Sequence, residues 1–338
     1  MGCVGQVGSD AYNARRVALA AGLPDNVPAY TVNRLCGSGL QAIWSAAMQM
    51  RWGGVDLALA GGNENMTRMP FYDFGARSGY KLGDRTLVDG TVMILTDPFS
   101  GIHMGRTAEN VARKYGVSRE EQDEFAMESQ RRAATDAAKA AFAEEIVSFD
   151  VGGRKPHTVA VDEHPKPGTT MEILSGLRPA FEKDGSVTAG NSSGINDGGA
   201  AVVVARESVA KERGLKGLVT LEAVATAAME PELMGYAPVL AIEKLLAMTG
   251  KAVADIDTIE LNEAFAAQAV AVIRDAGLDP AKTNPYGGAI ALGHPVGATG
   301  AILSLRVAKD LVRRDLEFGI VSMCIGGGQA LAALFRRP

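Results

Sequence analysis

Cys36 is the residue whose surroundings most favour covalent chemistry. It lies in residues 33–39, NRLCGSG, between a predicted strand and a predicted helix. The positive field of a helix N-terminus lowers the pKa of a nearby thiol and raises its reactive thiolate fraction. The alternative is a small buried apolar residue at a tight turn. The sequence therefore predicts either a nucleophilic or a structural thiol at the start of this helix.

Two further segments combine a reactive side chain with several glycines. His294 lies in residues 287–297, GGAIALGHPVG, where Gly and Pro remove bulk and fix the turn, so its imidazole could act as a general base. Cys324 opens residues 324–328, CIGGG, where consecutive glycines let backbone N–H groups approach a ligand, as an oxyanion hole requires. The alternatives are a loop histidine bonded to backbone and, for the glycines, a β-bulge or hairpin turn.

Asn262 stands where a predicted strand ends and a predicted helix begins, in residues 262–265, NEAF. Its default role at such a junction is that of a helix N-cap. Residues 33–39 and 294–300 each form a small-residue turn that opens onto a helix. If the chain consists of two α/β halves that each carry one of these turns, the two helix N-termini could meet at one site between the halves.

Three other segments match known functional motifs in part, but their neighbouring residues argue against those functions. Residues 37–42, GSGLQA, fit a relaxed dinucleotide-binding motif, but the acid that should end the next strand, Asp56, starts it. Residues 190–194, GNSSG, fit a serine-nucleophile elbow, yet a strand follows where that motif needs a helix. His157 and His164 are flanked by prolines, which indicates an exposed loop instead of a metal site.

Composition narrows the function classes. The chain has 338 residues, 47% of them hydrophobic, and a net charge of −5, which fits about two globular domains. No block of five like charges and no basic stripe is present, so nucleic acid is not an expected partner. The three cysteines form no CxxC pair, which indicates a reducing, cytoplasmic location. The long uncharged segment 284–305 contains five Gly and two Pro, so no membrane helix is expected.

The elements that position these residues alternate between helix and strand. This rhythm predicts an α/β fold with a buried parallel sheet. Between about Asn63 and Asn191 the pattern becomes irregular around one long helix, whose start at Ser118 carries the capping box SREE. Helices are predicted over 10–21, 39–50, 118–144, 207–213, 238–248, 263–275 and 297–313, and strands over 29–32, 55–60, 200–205, 218–224, 258–261, 319–323 and 329–335.

Five of these segments together resemble the signatures of the thiolase family, and Cys36, Asn262, His294 and Cys324 occur in that family's order. The resemblance runs from about Gly5 to the C-terminus. His103 and Met104, followed by Gly105, resemble the acetoacetyl-CoA and short-chain β-ketothiolase branch. The segments are residues 33–39, 190–198, 262–266, 287–295 and 324–328.

The resemblance implies a five-layered αβαβα arrangement of two related halves with an inserted loop domain. Residues 1–64 and 196–216 would form the N-terminal half, incomplete at its start. Residues 65–195 would form the loop domain, and residues 217–338 the C-terminal half. Thiolases assemble as homodimers or homotetramers and act in fatty acid metabolism, so both are expected here.

The resemblance also implies reversible acyl transfer between Cys36 and coenzyme A, which would be a substrate and not a permanently bound cofactor. Cys324 would move the proton on the α-carbon. His294 would activate Cys36 and, with a water held by Asn262, stabilise the enolate oxygen. The N–H groups of Cys36 and Gly326 would form a second oxyanion hole. No metal is expected.

Substrate contacts follow from the same resemblance. Ser193 corresponds to the residue that binds the pantetheine arm. Acetyl-CoA and short-chain 3-ketoacyl-CoA are the expected substrates. Two alternative functions are a Cys-dependent thioester hydrolase and a non-catalytic thiolase-like lipid-binding protein. The remaining candidates for contact with pantetheine or acyl chain are His103, Met104, Phe181, Met234 and Phe265, the last three of which could equally be core residues.

The sequence departs from the family pattern in three places. Ala330 replaces the glycine usual after the Gly-rich loop, which could tighten that hairpin. Asn63 stands where an apolar residue is common. The opening strand and helix of the family have no counterpart, so we expect that Met1 is an internal methionine and that a further segment precedes it in the functional protein.

Overall fold

The computed structural model describes residues 1–338 as a mixed α/β chain with ten strands. These are β1 (Leu57–Asn65), β2 (Phe71–Tyr72), β3 (Val88–Asp89), β4 (Phe149–Val151), β5 (His157–Val159), β6 (Asp197–Ala205), β7 (Thr220–Ala228), β8 (Thr258–Leu261), β9 (Phe318–Ile325) and β10 (Gln329–Arg336).

Twelve α-helices connect and cover the strands, and none has both the length and the apolar character needed to cross a bilayer. They are α1 (Asn13–Ala20), α2 (Ser38–Trp52), α3 (Gly90–Ile94), α4 (Met104–Tyr115), α5 (Arg119–Ala133), α6 (Asp136–Ala143), α7 (Met171–Ser175), α8 (Glu207–Glu212), α9 (Ala237–Thr249), α10 (Ala266–Asp275), α11 (Ala289–Leu292) and α12 (Thr299–Arg313).

The layers are built around α2 and α12, which lie between two sheets. On one side, Ala301 of α12 packs with Ala60 of the β1–β6 pair. On the other, Val307 packs with Val321 of the sheet β7-β10-β9-β8. Helices α9 and α10 cover the far face of this second sheet, where the largest apolar cluster lies. Asn63 alternates with the inward-facing Glu64 and exchanges amide hydrogen bonds with Asn13, which places α1 outside β1.

The prediction of a buried parallel sheet is wrong for most strand pairs. Only β8 and β9 run parallel, whereas β1–β6, β7–β10 and β9–β10 are antiparallel. A tight hairpin forces antiparallel pairing, and Gly327 and Gly328, with φ near +80°, form one between β9 and β10. Helix–strand alternation carries no information about direction where such a hairpin or a long excursion joins two strands.

Two predicted elements are wrong. Residues 29–32 form no strand, because only Val32 pairs, in a single bridge with Gly2. The helix predicted over 118–144 breaks after Ala133, and the Thr135 hydroxyl caps α6 by accepting from Ala138 N–H at 3.2 Å. The capping box at Ser118 is present. Most other boundaries agree within about three residues.

Candidate active site

Cys36 lies in a short 3-10 turn, Leu35–Gly37, directly before α2. The Ser38 hydroxyl closes this turn by donating to Leu35 O at 2.7 Å and accepting from Arg34 N–H at 2.8 Å. Leu35 has φ +48°, a conformation that leucine rarely adopts and that is common at functional sites. The turn thus fixes where the thiol lies without using the thiol in any structural bond.

The backbone N–H beside the start of α2 lowers the pKa of Cys36, as the sequence predicts, but the net shift in the unliganded protein is upward. Burial raises the pKa of this thiol to about 11, and the Glu64 carboxylate raises it further, whereas the backbone N–H groups of Cys36 and Gly326 lower it. Desolvation of the thiolate outweighs these two N–H groups. Both point at the sulfur region, where the second oxyanion hole is expected.

Cys324, near the end of β9, is fully buried. Burial raises the pKa of its thiol far above the ordinary range, and a negative charge on Cys36 raises it further. The two thiols therefore lie close enough for the charge of one to oppose ionisation of the other. The glycines after Cys324 form the β9–β10 hairpin turn, and the N–H of Gly326 at its start interacts with the Cys36 sulfur.

His294 is buried in the loop before α12 and has a defined hydrogen-bond pattern. Its Nδ1 lies 2.6 Å from Thr299 Oγ1, and the Thr299 hydroxyl donates to Pro295 O at 3.0 Å. Because that hydroxyl proton is already used, Nδ1–H is the donor, which leaves Nε2 with a free lone pair. Burial lowers the pKa of His294 to about 4, so the ring is neutral and can accept a proton at Nε2.

Asn262 follows β8 directly and faces His294, with its Nδ2 3.5 Å from His294 Nε2. Its default role as an N-cap is wrong, because α10 begins only after Phe265 and takes no side-chain cap. The Asn262 side chain is fully buried, and its Oδ1 has no partner. This carbonyl oxygen is free to accept a hydrogen bond from a small molecule such as water.

Cys36 directly precedes α2, and His294 precedes α12. The first turns of these two helices lie against each other. A Cβ added to Gly300 of α12 would lie 2.4 Å from Leu40 N in α2, and one on Gly39 would lie 2.6 Å from Ala301 N. Glycine is needed for this approach. Cys36 also packs against the apolar cluster that contains Val296, although no direct hydrogen bond joins His294 to Cys36.

The candidate substrate contacts lie around Cys324. Its apolar cluster includes Met104, Met234 and Phe265, with Phe181 packed at the edge. His103 stacks on Phe181 with ring centroids 4.9 Å apart, and Phe181 meets Phe265 edge-on at 6.1 Å. Ser193 is partly exposed, and its backbone N–H donates to Ala264 O, next to this cluster. The structure therefore brings together all the candidates predicted from the sequence.

Sequence reasoning missed Glu64, a buried carboxylate between the two halves. It accepts backbone hydrogen bonds from Val4, Gly5 and Gly297 at 2.9–3.0 Å. These bonds tie the His294 loop to β1. The only sequence signal was an isolated acid in the otherwise uncharged segment AGGNEN.

The rejected patterns also have structural explanations. Ser192 donates its hydroxyl to Thr188 O, and β6 follows that segment as expected. His157 is exposed in β5. No group of three or more His, Cys, Asp or Glu side chains is placed to hold a metal ion.

Two family models match the chain. The model described as "Thiolase, N-terminal domain" matches residues 1–208, and "Thiolase, C-terminal domain" matches residues 215–337. The β-ketothiolase BktB of Cupriavidus necator is 49% identical over 330 residues, which cover 97% of this chain and 84% of that protein. The acetyl-CoA acetyltransferase of Allochromatium vinosum is 47% identical over 329 residues, covering 96% and 83%.

Solved structures show the same fold. The Bacillus anthracis acetyl-CoA acetyltransferase matches with a TM-score of 0.97 and 43% identity, over 100% of this chain and 86% of that one. Human mitochondrial 3-ketoacyl-CoA thiolase in complex with CoA matches with a TM-score of 0.96 and 40% identity, over 100% and 85%. The expected α/β thiolase fold is confirmed, and with both family models matched, the chain belongs to the thiolase family.

Proposed function

We propose that the chain is an acetyl-CoA C-acyltransferase that joins acetyl-CoA to an acyl-CoA, or cleaves a 3-ketoacyl-CoA, through an acyl group carried on Cys36. Two observations support this proposal. Cys36 lies at the Gly326 N–H group and close to Cys324, and the neutral imidazole of His294 lies beside Asn262, whose carboxamide oxygen has no partner. Relatives named β-ketothiolase and acetyl-CoA acetyltransferase, and the CoA complex of a similar structure, support coenzyme A as the substrate.

The first half-reaction acylates Cys36. His294 Nε2 takes the thiol proton as the sulfur attacks the carbonyl carbon of acetyl-CoA. The N–H groups of Cys36 and Gly326 stabilise the oxyanion that forms. The C–S bond of the substrate then breaks, and the Cys324 thiol protonates the departing coenzyme A sulfur. This leaves acetyl-Cys36, a Cys324 thiolate and a protonated His294.

The second half-reaction forms the carbon–carbon bond. The Cys324 thiolate removes a proton from the methyl group of a second acetyl-CoA. His294 Nε2–H and a water held by Asn262 Oδ1 stabilise the enolate oxygen. The enolate carbon attacks acetyl-Cys36, the Cys36 sulfur leaves, and His294 returns its proton. Once Cys36 is acylated it can no longer carry a negative charge, so it cannot oppose the ionisation of Cys324. Thiolysis runs the same steps in reverse.

The experiment that tests this function is coenzyme A-dependent cleavage of acetoacetyl-CoA. We expect two acetyl-CoA for each acetoacetyl-CoA and each coenzyme A consumed. A thioester hydrolase would instead release acetate from acetyl-CoA without needing coenzyme A, and a non-catalytic lipid-binding protein would do neither. Either of those results would replace the proposal.

The pH dependence of acetylation follows from the two shifted pKa values. Burial favours the neutral forms, so His294 binds a proton only near pH 4 and Cys36 loses one only near pH 11. We expect the second-order rate of Cys36 acetylation in single-turnover experiments to vary by less than about threefold between roughly pH 5.5 and 9. A limb with an apparent pKa near 6.5, typical of an exposed histidine, would contradict this electrostatic description.

Chain-length preference is set by the apolar cluster around Cys324. Met104 and Met234 pack in the same apolar cluster as Cys324, and their side chains adapt only modestly to an acyl group bound there. We expect kcat/KM on four- to six-carbon 3-ketoacyl-CoA to exceed that on long chains by about tenfold or more, ~1.4 kcal/mol in the transition state. Met104→Ala should reduce this ratio, whereas the volume-conserving Met104→Leu should keep it. A wild-type preference for long chains would rule out the assignment.

We also propose a cytoplasmic location, a role in fatty acid metabolism and a homodimeric or homotetrameric state. Free cysteines suit a reducing compartment. Apolar side chains on the β1–β6 sheet remain exposed, including Leu57, Leu59 and Val203, which supports association with a second copy of the chain.

A further inference from the structure

Asn284 takes the place of a backbone peptide group at the end of β8. The chain segment before it pairs with this strand, since Ile259 N–H donates to Lys282 O at 2.9 Å and Asn284 N–H donates to Ile259 O at 2.8 Å. At Asn284 the backbone turns away with φ +49°. Its side chain continues the pairing, because Oδ1 accepts from Leu261 N–H at 2.8 Å and Nδ2 donates to Leu261 O at 2.9 Å.

The same side chain also holds Glu263. The second proton of Asn284 Nδ2 donates to Glu263 Oε1 at 2.7 Å. The other carboxylate oxygen, Oε2, accepts from the Ser129 hydroxyl at 2.7 Å and from Ile290 N–H at 3.2 Å. Asn284 is 2% exposed and Glu263 is 1% exposed. The buried Asn284 side chain is therefore hydrogen-bonded to both neighbours of Asn262, which are Leu261 and Glu263. It connects them to the chain segment that leads into His294.

Asn262 makes few hydrogen bonds of its own that could fix its direction. Its backbone N–H donates to Ser322 O, and its side chain has only the 3.5 Å contact with His294 Nε2. The direction of its carboxamide therefore depends on the backbone at residues 261 and 263, together with the packing around this buried side chain. That backbone is the part of the chain that Asn284 holds.

We propose that Asn284 is a positioning residue for the carbon–carbon bond step, which keeps the Asn262 carboxamide directed at His294. The inference rests on the proposed function, in which Asn262 holds the water that stabilises the enolate oxygen. Acylation of Cys36 uses a different oxyanion hole, made by N–H groups of Cys36 and Gly326. Loss of Asn284 should therefore slow the carbon–carbon bond step and spare acyl transfer.

The test compares two activities in Asn284→Gly, a change that suits the positive φ of this position. We expect kcat for thiolysis of acetoacetyl-CoA to fall at least about thirtyfold, with KM within about twofold. Exchange of acetyl groups between acetyl-CoA and labelled coenzyme A should stay within about threefold of wild type. If this variant is unstable, Asn284→Asp gives the same split, because it keeps the acceptor for Leu261 N–H but loses both donors.

The matched control is Thr258→Val, which removes a buried hydrogen bond to Asp310 at the other end of β8. Both activities of this control should stay within about threefold of wild type. Parallel loss of thiolysis and exchange in the Asn284 variants, or no loss beyond the control, would overturn the positioning role alone. A wild-type protein lacking both activities would overturn the proposed function as well.

Discussion

Cys36→Ala is expected to abolish both thiolysis of acetoacetyl-CoA and acetyl exchange, with kcat falling by more than about a thousandfold. The Gly326 N–H group lies at the Cys36 sulfur, and Cys324 is fully buried among apolar side chains. The fold should survive, because the turn is closed by Ser38 and not by the thiol. The lost packing costs roughly 1 kcal/mol.

The matched control for this experiment is Cys3→Ala. Cys3 is a buried free thiol, 5% exposed, and it has no role in the proposed reaction. Steady-state assays of both variants, with melting temperatures, separate chemistry from folding. Substantial turnover in Cys36→Ala, or equal losses in the two variants, would refute Cys36 as the acyl carrier.

Cys324→Ser is expected to separate the two half-reactions. Thiolysis and condensation should fall at least about a hundredfold more than acetyl exchange. A serine hydroxyl is too weak an acid to form the base that removes the α-proton. When Cys36 is acylated, in contrast, the departing coenzyme A is itself a stable thiolate and can leave the acetyl carbon without a proton donor. Acetyl exchange at Cys36 should therefore remain measurable.

Rates of label exchange, thiolysis and condensation in this one variant provide the measurement. Retained acetylation of Cys36 in the absence of thiolysis is the expected pattern. If all three activities fall by the same factor, Cys324 does not act on the α-carbon alone, and the division of labour between the thiols is wrong.

Local signals were sufficient to select candidate residues that the fold brings close together, but not to predict the direction of their pKa shifts. Cys36 could be placed before a helix because the flanking glycines and the apolar periodicity lie within a few residues of it. The direction of its pKa shift could not, because burial depends on chain segments distant in sequence, including Gly326 and Glu64. Neutral His294 is a similar case, since burial alone lowers its pKa.

Strand direction and long-range polar contacts were also beyond sequence reasoning. The bond from Gly297 to Glu64 joins residues separated by 233 positions, and Asn284 contacts Leu261 and Glu263 across more than twenty. Asn262 was given a helix-capping role by default because its junction looked like a helix start, whereas three more residues precede α10. Each of these features depends on groups that only the tertiary fold brings together.

The most direct test of the central claim is to find where the acyl group is carried. The protein is mixed with acetyl-CoA, quenched in acid and digested, and the peptides are analysed by mass spectrometry. We expect one acetyl group, on Cys36, that disappears when coenzyme A is added before the quench. An acetyl group on Ser192 or Cys324, or no acetylation of any residue, would contradict the account.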